Sequence, residues 1–359
     1  MRTEDIKKRL TKRRRKQRVR SSDFLSTGST LLDLAISGKI RRGFSKGKYF
    51  YIVGDTMSGK TFLSLTCFAE AASSSHFENY RLIFDNSEDG ALMSIERFFG
   101  KKLATRMEPP SKAKDGTPNY SESVEEFYYH IDDAINEGTP FLYLLDSMDS
   151  LSSKDEAEKF RKQKRAHRQG KKISGTYGDG KAKKNSAAIR QLLPRLRETG
   201  SILIVISQTR DNLGISFDPR TRSGGRALTF YATVEIWSSC GKKIKKIVRD
   251  KARVIGVNSI LEVKKNRVTG QNRKVSVPIL YKLGIDDIGS CVAFLIEENH
   301  WHKRANKIKA TEFDFEGSRS GLIRKIEEEG LENDLRMVVQ EVWDEIEDAC
   351  DPKRKRRYE

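Results

Sequence analysis

Gly54-Asp55-Thr56-Met57-Ser58-Gly59-Lys60-Thr61 is the stretch whose residue types and spacing point to a defined chemistry. It fits G-x-x-x-x-G-K-[ST] at every position. The glycines let the backbone wrap a phosphate without Cβ clashes. Loop N–H groups and the start of a following helix present positive potential to an anion. Lys60 is placed to reach the β- and γ-phosphates of a nucleoside triphosphate, and the Thr61 hydroxyl to ligate Mg²⁺. Two more acidic clusters fit the same chemistry. Asp85-Asn86-Ser87-Glu88-Asp89 follows the apolar run Arg81 to Phe84, and Asp146-Ser147 follows Phe141 to Leu145. Carboxylates at the carboxyl ends of strands sit beside the nucleotide in an open α/β sheet. One that follows a buried strand downstream of the phosphate loop is the usual second holder of Mg²⁺.

Such side chains need a scaffold that brings strand ends together. Tyr49 to Val53 reads as a buried strand and Phe62 to Phe68 as the helix after the loop. Phe24 to Gly38 reads as a turn and then a helix, started by Ser29 or Thr30 and stopped near Gly38. Ser123 to Asn136 and Asn185 to Glu198 read as helices. Ser201 to Ile206, Ala227 to Trp237 and Ser259 to Val263 read as strands, and Lys101 to Tyr120 as a loop. Alternating strand and helix, then a hairpin-rich stretch, predicts an α/β fold with a mostly parallel central sheet. The expected organisation is a basic arm over 1–23 and a core over 24–285. A small C-terminal α/β domain follows over 286–350, with Val292 to Ile296 a short apolar segment and Trp301 its anchor. A basic tail covers 351–359. Lys154 to Lys184 is basic, glycine-containing and poor in apolar residues, which predicts a mobile surface loop.

The 359 residues carry a formal net charge of +19. That points to a polyanionic partner, and nucleic acid fits better than membrane because no apolar run is long enough to span a bilayer. The arm from Met1 to Arg20 is dominated by Lys and Arg. A solvated arm, a helix laid on DNA or on a neighbouring subunit, and a nuclear-import signal share that composition. Cys67, Cys240, Cys291 and Cys350 are scattered, which fits a reducing compartment, and the five histidines lack metal-ligand spacing, so no structural zinc is expected.

The order of these elements resembles the RecA family of recombinases from about Phe24 onward. STGSTLLDLAISG resembles the family's entry segment, and DSMDSL at Asp146 to Leu151 its Mg²⁺-site strand end. ISQTRDNLGISFDPRTRSGGRALTFYATVEI resembles the stretch from the nucleotide-sensing glutamine through the second DNA loop into the next strand. The resemblance implies a RecA-type ATPase core using ATP and Mg²⁺, with Gly54 to Thr61, Asp146 and Ser147 binding the cofactor and Thr61 and Asp146 holding the metal. It makes Glu88 the residue that polarises the attacking water, in a cluster that also holds Asp85 and Asp89 and has one residue more than the family's D-x-E. Gln208 would sense the γ-phosphate. Lys265 and Arg267, within KKNR, would reach the next subunit's nucleotide, where the bland alternative is a solvated strand end.

On the same basis the DNA contacts fall in two loops, about 154–184 and 209–226. Lys181, Lys183, Lys184 and Arg190, with Tyr177, serve the first. Arg210, Phe217, Arg220, Arg222, Gly224, Gly225 and Arg226 serve the second. The implied function is a DNA-dependent ATPase that forms a helical filament on single-stranded DNA, pairs it with double-stranded DNA and drives strand exchange in recombination and repair. Single-strand-binding and mediator proteins would be further partners. A ring helicase of the same fold and an ATP-binding mediator with little turnover are the alternatives. The long basic first loop and basic tail depart from the bacterial pattern and favour a phage-type, UvsX-like subgroup. The implied location is cytoplasmic, on the nucleoid or in a host's cytoplasm.

Overall fold

The computed structural model describes residues 20–91, 93–169, 180–211, 220–222, 225–304 and 306–354. The expected arm, apart from 20–23, and the end of the tail from 355 lie outside them. Among the described residues the central sheet has ten strands. These are β1 Tyr49–Gly54, β2 Arg81–Asp85, β3 Met107–Glu108, β4 Phe141–Leu145, β5 Ile202–Asp211, β6 Arg220–Arg222, β7 Val234–Val248, β8 Lys251–Asn266, β9 Lys274–Leu280 and β10 Gly284–Ile285. Their order is β10-β9-β8-β7-β1-β5-β4-β2-β3, with β6 paired to β5. From β7 to β3 every pairing is parallel, whereas β7, β8, β9 and β10 form an antiparallel meander. The main helices are α1 Thr30–Ser37, α2 Lys60–Ser73, α3 Val124–Asn136, α4 Lys154–Arg168, α5 Gly180–Thr199, α6 Arg226–Tyr231, α7 Asp287–Glu297, α8 Arg319–Glu329 and α9 Glu332–Cys350.

Every residue of β1 is buried, as a parallel strand covered on both faces must be. Side chains alternate across a strand, so the run splits between two cores. Phe50 and Ile52 join the cluster that includes α1, α2 and the C-terminal helices. Tyr49, Tyr51 and Val53 join the one under α3 and α5. The first cluster is continuous from Leu25 to Trp343. The C-terminal segment adds a three-stranded sheet and Trp301, which is buried and donates to Glu312 at 2.8 Å. Gln340 of α9 clasps the end of α1, accepting from Ile40 N and donating to Gly38 O, each at 2.9 Å.

Several expected elements differ. Lys154 to Lys184 does not stay a loop throughout: α4 forms although none of its residues is buried. Local interactions replace the missing apolar face. Ser153 and Glu156 make a capping box, Asp155 and Glu156 sit in the first turn, and Arg165, His167 and Arg168 in the last. Glu158 and Lys162 pair one turn apart. The stretch from Ala227 to Trp237 is not one strand, because α6 precedes β7. Val292 to Ile296 is the interior of α7, capped by Asp286. Short apolar runs of this kind carry no periodicity that separates strand from helix. Lys101 to Tyr120 contains a helical stretch, Lys101–Arg106, and three two-residue strands, Met107–Glu108, Ser111–Lys112 and Pro118–Asn119.

Asp33 on α1 is 1% exposed and accepts from Thr27 N, Thr27 Oγ1 and Ser26 Oγ, each at 2.8 Å. Burial pushes its carboxyl from an ordinary 3.8 up to about 7, against those three donors. The folded chain therefore holds a proton there that the unfolded chain releases near pH 4. Its contribution to stability is fully present below about pH 4 and is lost as pH rises to about 7. Melting temperatures of wild type and Asp33→Asn across pH 4 to 8 test this. The wild type should lose ground against the variant up to about pH 7, and a gap independent of pH would contradict the assignment.

Candidate active site

β1 runs beside β7, and a Cβ on Gly54 would stand 2.1 Å from the Ser238 carbonyl oxygen, so only glycine fits there. Gly59 has φ +89 and its Cβ would meet Ile279 Cδ1 at 2.3 Å. The loop between them is clamped from beneath. Ser238 Oγ and Ser259 Oγ both donate to the Ser58 carbonyl, at 2.9 and 2.6 Å, and Asp55 N donates to Ser238 O at 3.1 Å. Neither serine was an expected site residue. Ser259 carries a signal, a small polar residue opening the mostly apolar run to Val263, whereas Ser238 lies just past the expected strand end at Trp237 and carries none.

No side chain caps the start of α2. Its first N–H groups thus keep their capacity for an anion. Lys60 is 8% exposed and its Nζ donates to the Gly54 and Asp55 carbonyls at 3.0 and 2.8 Å. Burial pushes its amine down, while Asp146, Glu88, Asp55 and Asp149 hold it up. Thr61 Oγ1 donates to Asp146 Oδ2 at 2.5 Å. Burial raises the Asp146 carboxyl to about 6, with Glu88 adding to the rise and Thr61 and Lys60 opposing it. A hydroxyl and a carboxylate this close supply the hard oxygen ligands that Mg²⁺ takes. The loop, the uncapped helix and this pair fit a metal-bound polyphosphate.

The three acids of the 85–89 cluster have different surroundings. Asp85 is fully buried and accepts from Ser121 N, Ser121 Oγ and Tyr143 OH at 2.9, 2.6 and 2.7 Å. Glu88 is exposed; Gln208 Nε2 donates to its Oε1 at 3.1 Å and Ser147 Oγ donates to the same oxygen. Asp89 is exposed, with φ 50. Backbone bonds lock the strand ends together, from Glu88 N to Asp146 O and from Asp146 N to Asp85 O, each at 3.0 Å. Asp149, absent from the expected set, accepts from Ser207 Oγ and Gln208 N at 2.7 Å each and so fixes the glutamine's strand. Its signal is the second acid of DSMDSL. A cavity of about 520 Å³ opens between Glu88, Asp149, Gln208 and Thr209.

Residues 5–286 match the family described as the RecA N-terminal domain. The chain belongs to the RecA family. Protein RecA of Cytophaga hutchinsonii is 28% identical over 303 residues, covering 83% of this chain and 74% of that protein. Protein RecA of Ectopseudomonas oleovorans is 27% identical over 311 residues, 85% of this chain and 77% of that one. Protein RecA of Rickettsia massiliae is 29% identical over 277 residues, 75% and 69% respectively.

In this RecA-family chain the expected DNA residues are not equally available. Lys181 Nζ donates to the Leu151 carbonyl at 2.6 Å, and Lys184 pairs with Glu125 and with Asp155, the latter at 3.0 Å. Lys183 and Arg190 are exposed, seven positions apart on α5, and so lie on one face. Gly225 has φ +85, and its Cβ would come 2.7 Å from Ala182 Cβ, so the exit of the second loop abuts the first turn of α5. Arg226 is exposed beside it. Arg210, Arg220 and Arg222 lie on the paired strands β5 and β6. Tyr177, Phe217 and Gly224 lie outside the described residues.

Lys265 and Arg267 gather at the end of α6. Lys265 Nζ donates to the Thr229 and Phe230 carbonyls at 2.5 and 2.7 Å, and Arg267 Nη2 to that of Phe230 at 2.8 Å. Both lean on the Phe230 ring, which is 62% exposed. β7 pairs Val234 with Phe50 and with Asn266, but Ser238 with Gly54. The two cations therefore stand at the entry end of β1, roughly 13 Å along the sheet from the phosphate loop. Among the described residues no helix is long and apolar enough to cross a membrane.

Proposed function

We propose that this chain is an ATP-dependent recombinase that assembles on single-stranded DNA and promotes homologous pairing and strand exchange. The hydrogen bond from Gln208 Nε2 to Glu88 Oε1 carries the reading. It ties the carboxylate best placed to take a proton from water to the strand that continues into a cationic ribbon. Glu88 is the base, since Asp85 spends its oxygens on Ser121 and Tyr143. Thr61 and Asp146 would hold Mg²⁺, which supplies neutralising charge at the phosphoryl group. Lys60 leaves its carbonyl partners for the phosphates, and Gln208 reports the γ-phosphate. Lys265 and Arg267 stand too far along the sheet for their own chain's phosphates, which supports a role in trans across a filament boundary.

DNA is held by its backbone through Arg210, Arg220, Arg222 and Arg226 on one side and Lys183 and Arg190 on the other, with Gly224 and Gly225 allowing close approach. Lys181 and Lys184 contribute only if they leave their present partners. Binding of this kind ignores sequence and weakens steeply with salt. The basic first loop and tail support a phage-type member, acting in a host's cytoplasm.

Negative-stain imaging and ATPase rates, each with and without single-stranded DNA, test the proposal. Helical filaments and a DNA-stimulated rate are expected. Closed rings would replace the reading with a translocating motor, and DNA binding without turnover would replace it with a mediator.

A further inference from the structure

Asp55 puts a carboxylate inside a loop that otherwise suits polyanions. An anion there repels phosphate, so it must point out of the cradle and be bonded elsewhere. The loop backbone has little freedom to adjust. Asp55 N is held by Ser238 O at 3.1 Å, and its carbonyl accepts from Ser58 Oγ at 2.7 Å and Lys60 Nζ at 2.8 Å. The side chain turns outward instead, and Thr209 Oγ1 donates to its Oδ1 at 2.6 Å, across 154 residues of chain. Thr209 follows Gln208 directly and is the ladder partner of Arg222. One step on, Arg210 pairs with Thr221 and Asp211 with Arg220.

We infer that the Asp55–Thr209 hydrogen bond is a second coupling between the phosphate loop and the β5–β6 ribbon, parallel to that of Gln208. The inference rests on the recombinase reading and adds a residue to it. Phosphate in the loop raises the worth of each outward hydrogen bond to Asp55, that from Thr209 Oγ1 included. Nucleotide therefore favours the ribbon position that keeps Thr209 in reach, and that position sets the backbone carrying Arg222, Arg210 and Arg220. Linkage makes the effect reciprocal: DNA that holds the ribbon there tightens nucleotide by the same factor. Thr209 is a positioning residue, since it acts through Asp55 and the ladder.

The test is a thermodynamic square. Single-stranded DNA affinity is measured with and without a slowly hydrolysed ATP analogue, and analogue affinity with and without DNA. The variants are Thr209→Val, which removes the hydroxyl at nearly constant volume, and Thr209→Ser, which keeps it. Gln208 is intact throughout. Thr209→Val should lower the coupling factor about tenfold in both directions, the scale of one hydrogen bond to a charged group. Thr209→Ser should restore it, a recovery that a purely structural role does not predict. Asp55→Asn provides a second route, because a neutral amide has no charge to turn away, so it too should lower the factor. A Thr209→Val or Asp55→Asn protein that retains the wild-type factor overturns the inference and leaves the recombinase reading standing. A wild-type chain whose DNA affinity ignores nucleotide overturns both.

Discussion

Glu88→Gln is expected to bind ATP and assemble on single-stranded DNA while hydrolysing about 10²–10⁴-fold more slowly than wild type, the range a positioned general base supplies. The substitution preserves shape. Its amide oxygen still accepts from Ser147 Oγ and Gln208 Nε2, the two groups that hold Glu88 Oε1. The backbone bond from residue 88 to the Asp146 carbonyl is untouched. What disappears is the capacity to take a proton, so kcat falls while nucleotide and DNA affinity stay close to wild type. Single-turnover hydrolysis, read beside nucleotide binding, separates these quantities. Asp89→Asn is the control within the cluster. Should it lose hydrolysis while Glu88→Gln keeps it, the base is Asp89. Asp85→Asn answers a different question. Its buried oxygens accept three hydrogen bonds, so its effect should appear in melting temperature rather than selectively in kcat.

Lys60→Ala should reduce hydrolysis by at least about 10²–10³-fold, the usual consequence of deleting one preorganised donor to the developing charge. Here the loss reaches beyond one contact. Lys60 is the cation that Asp146, Glu88, Asp55 and Asp149 all act on, and the loop carbonyls of Gly54 and Asp55 are its present partners. Without it those carboxylates face the incoming polyphosphate unopposed, so nucleotide affinity should fall together with turnover. That pattern differs from Glu88→Gln, where turnover falls alone. Lys60→Arg should not rescue, because a planar guanidinium is larger than an ammonium and cannot occupy the same enclosed position between two carbonyls. Hydrolysis undiminished in Lys60→Ala would remove the phosphate-loop assignment altogether.

The sequence by itself determined the phosphate loop, the strands before it and after it, the carboxylates at their ends and the mostly parallel α/β class. Each of these is a local signal. A run such as Tyr49 to Val53 is apolar because both faces of its strand are covered, and the Gly59-Lys60-Thr61 spacing fits the motif whose consecutive residues suit a phosphate. Helix ends were also legible: of the two starts open to α1, Ser29 or Thr30, Ser29 is the cap, Gly38 ends that helix, and the stretch expected from Ser123 begins with Ser123 as the cap of α3. Local signals left unread include the Asp286 cap of α7 and the capping box of α4, the latter hidden behind a composition that offers no apolar face.

Only the tertiary structure decided which of these residues are free to act. Asp85 and Glu88 are three positions apart, yet Ser121 and Tyr143 claim the first while Ser147 and Gln208 leave the second at the lip of a cavity. Lys181 and Lys183 are both lysines of one helix turn, but the Leu151 carbonyl ties the former, while the latter is exposed. Ser238 and Ser259 beneath the loop, Asp149 beside Gln208 and Thr209 against Asp55 gain their roles from partners 58 to 201 residues away. A side chain's availability is set by what packs or bonds against it. In a parallel sheet those neighbours come from crossover connections, so no window of neighbouring residues contains them.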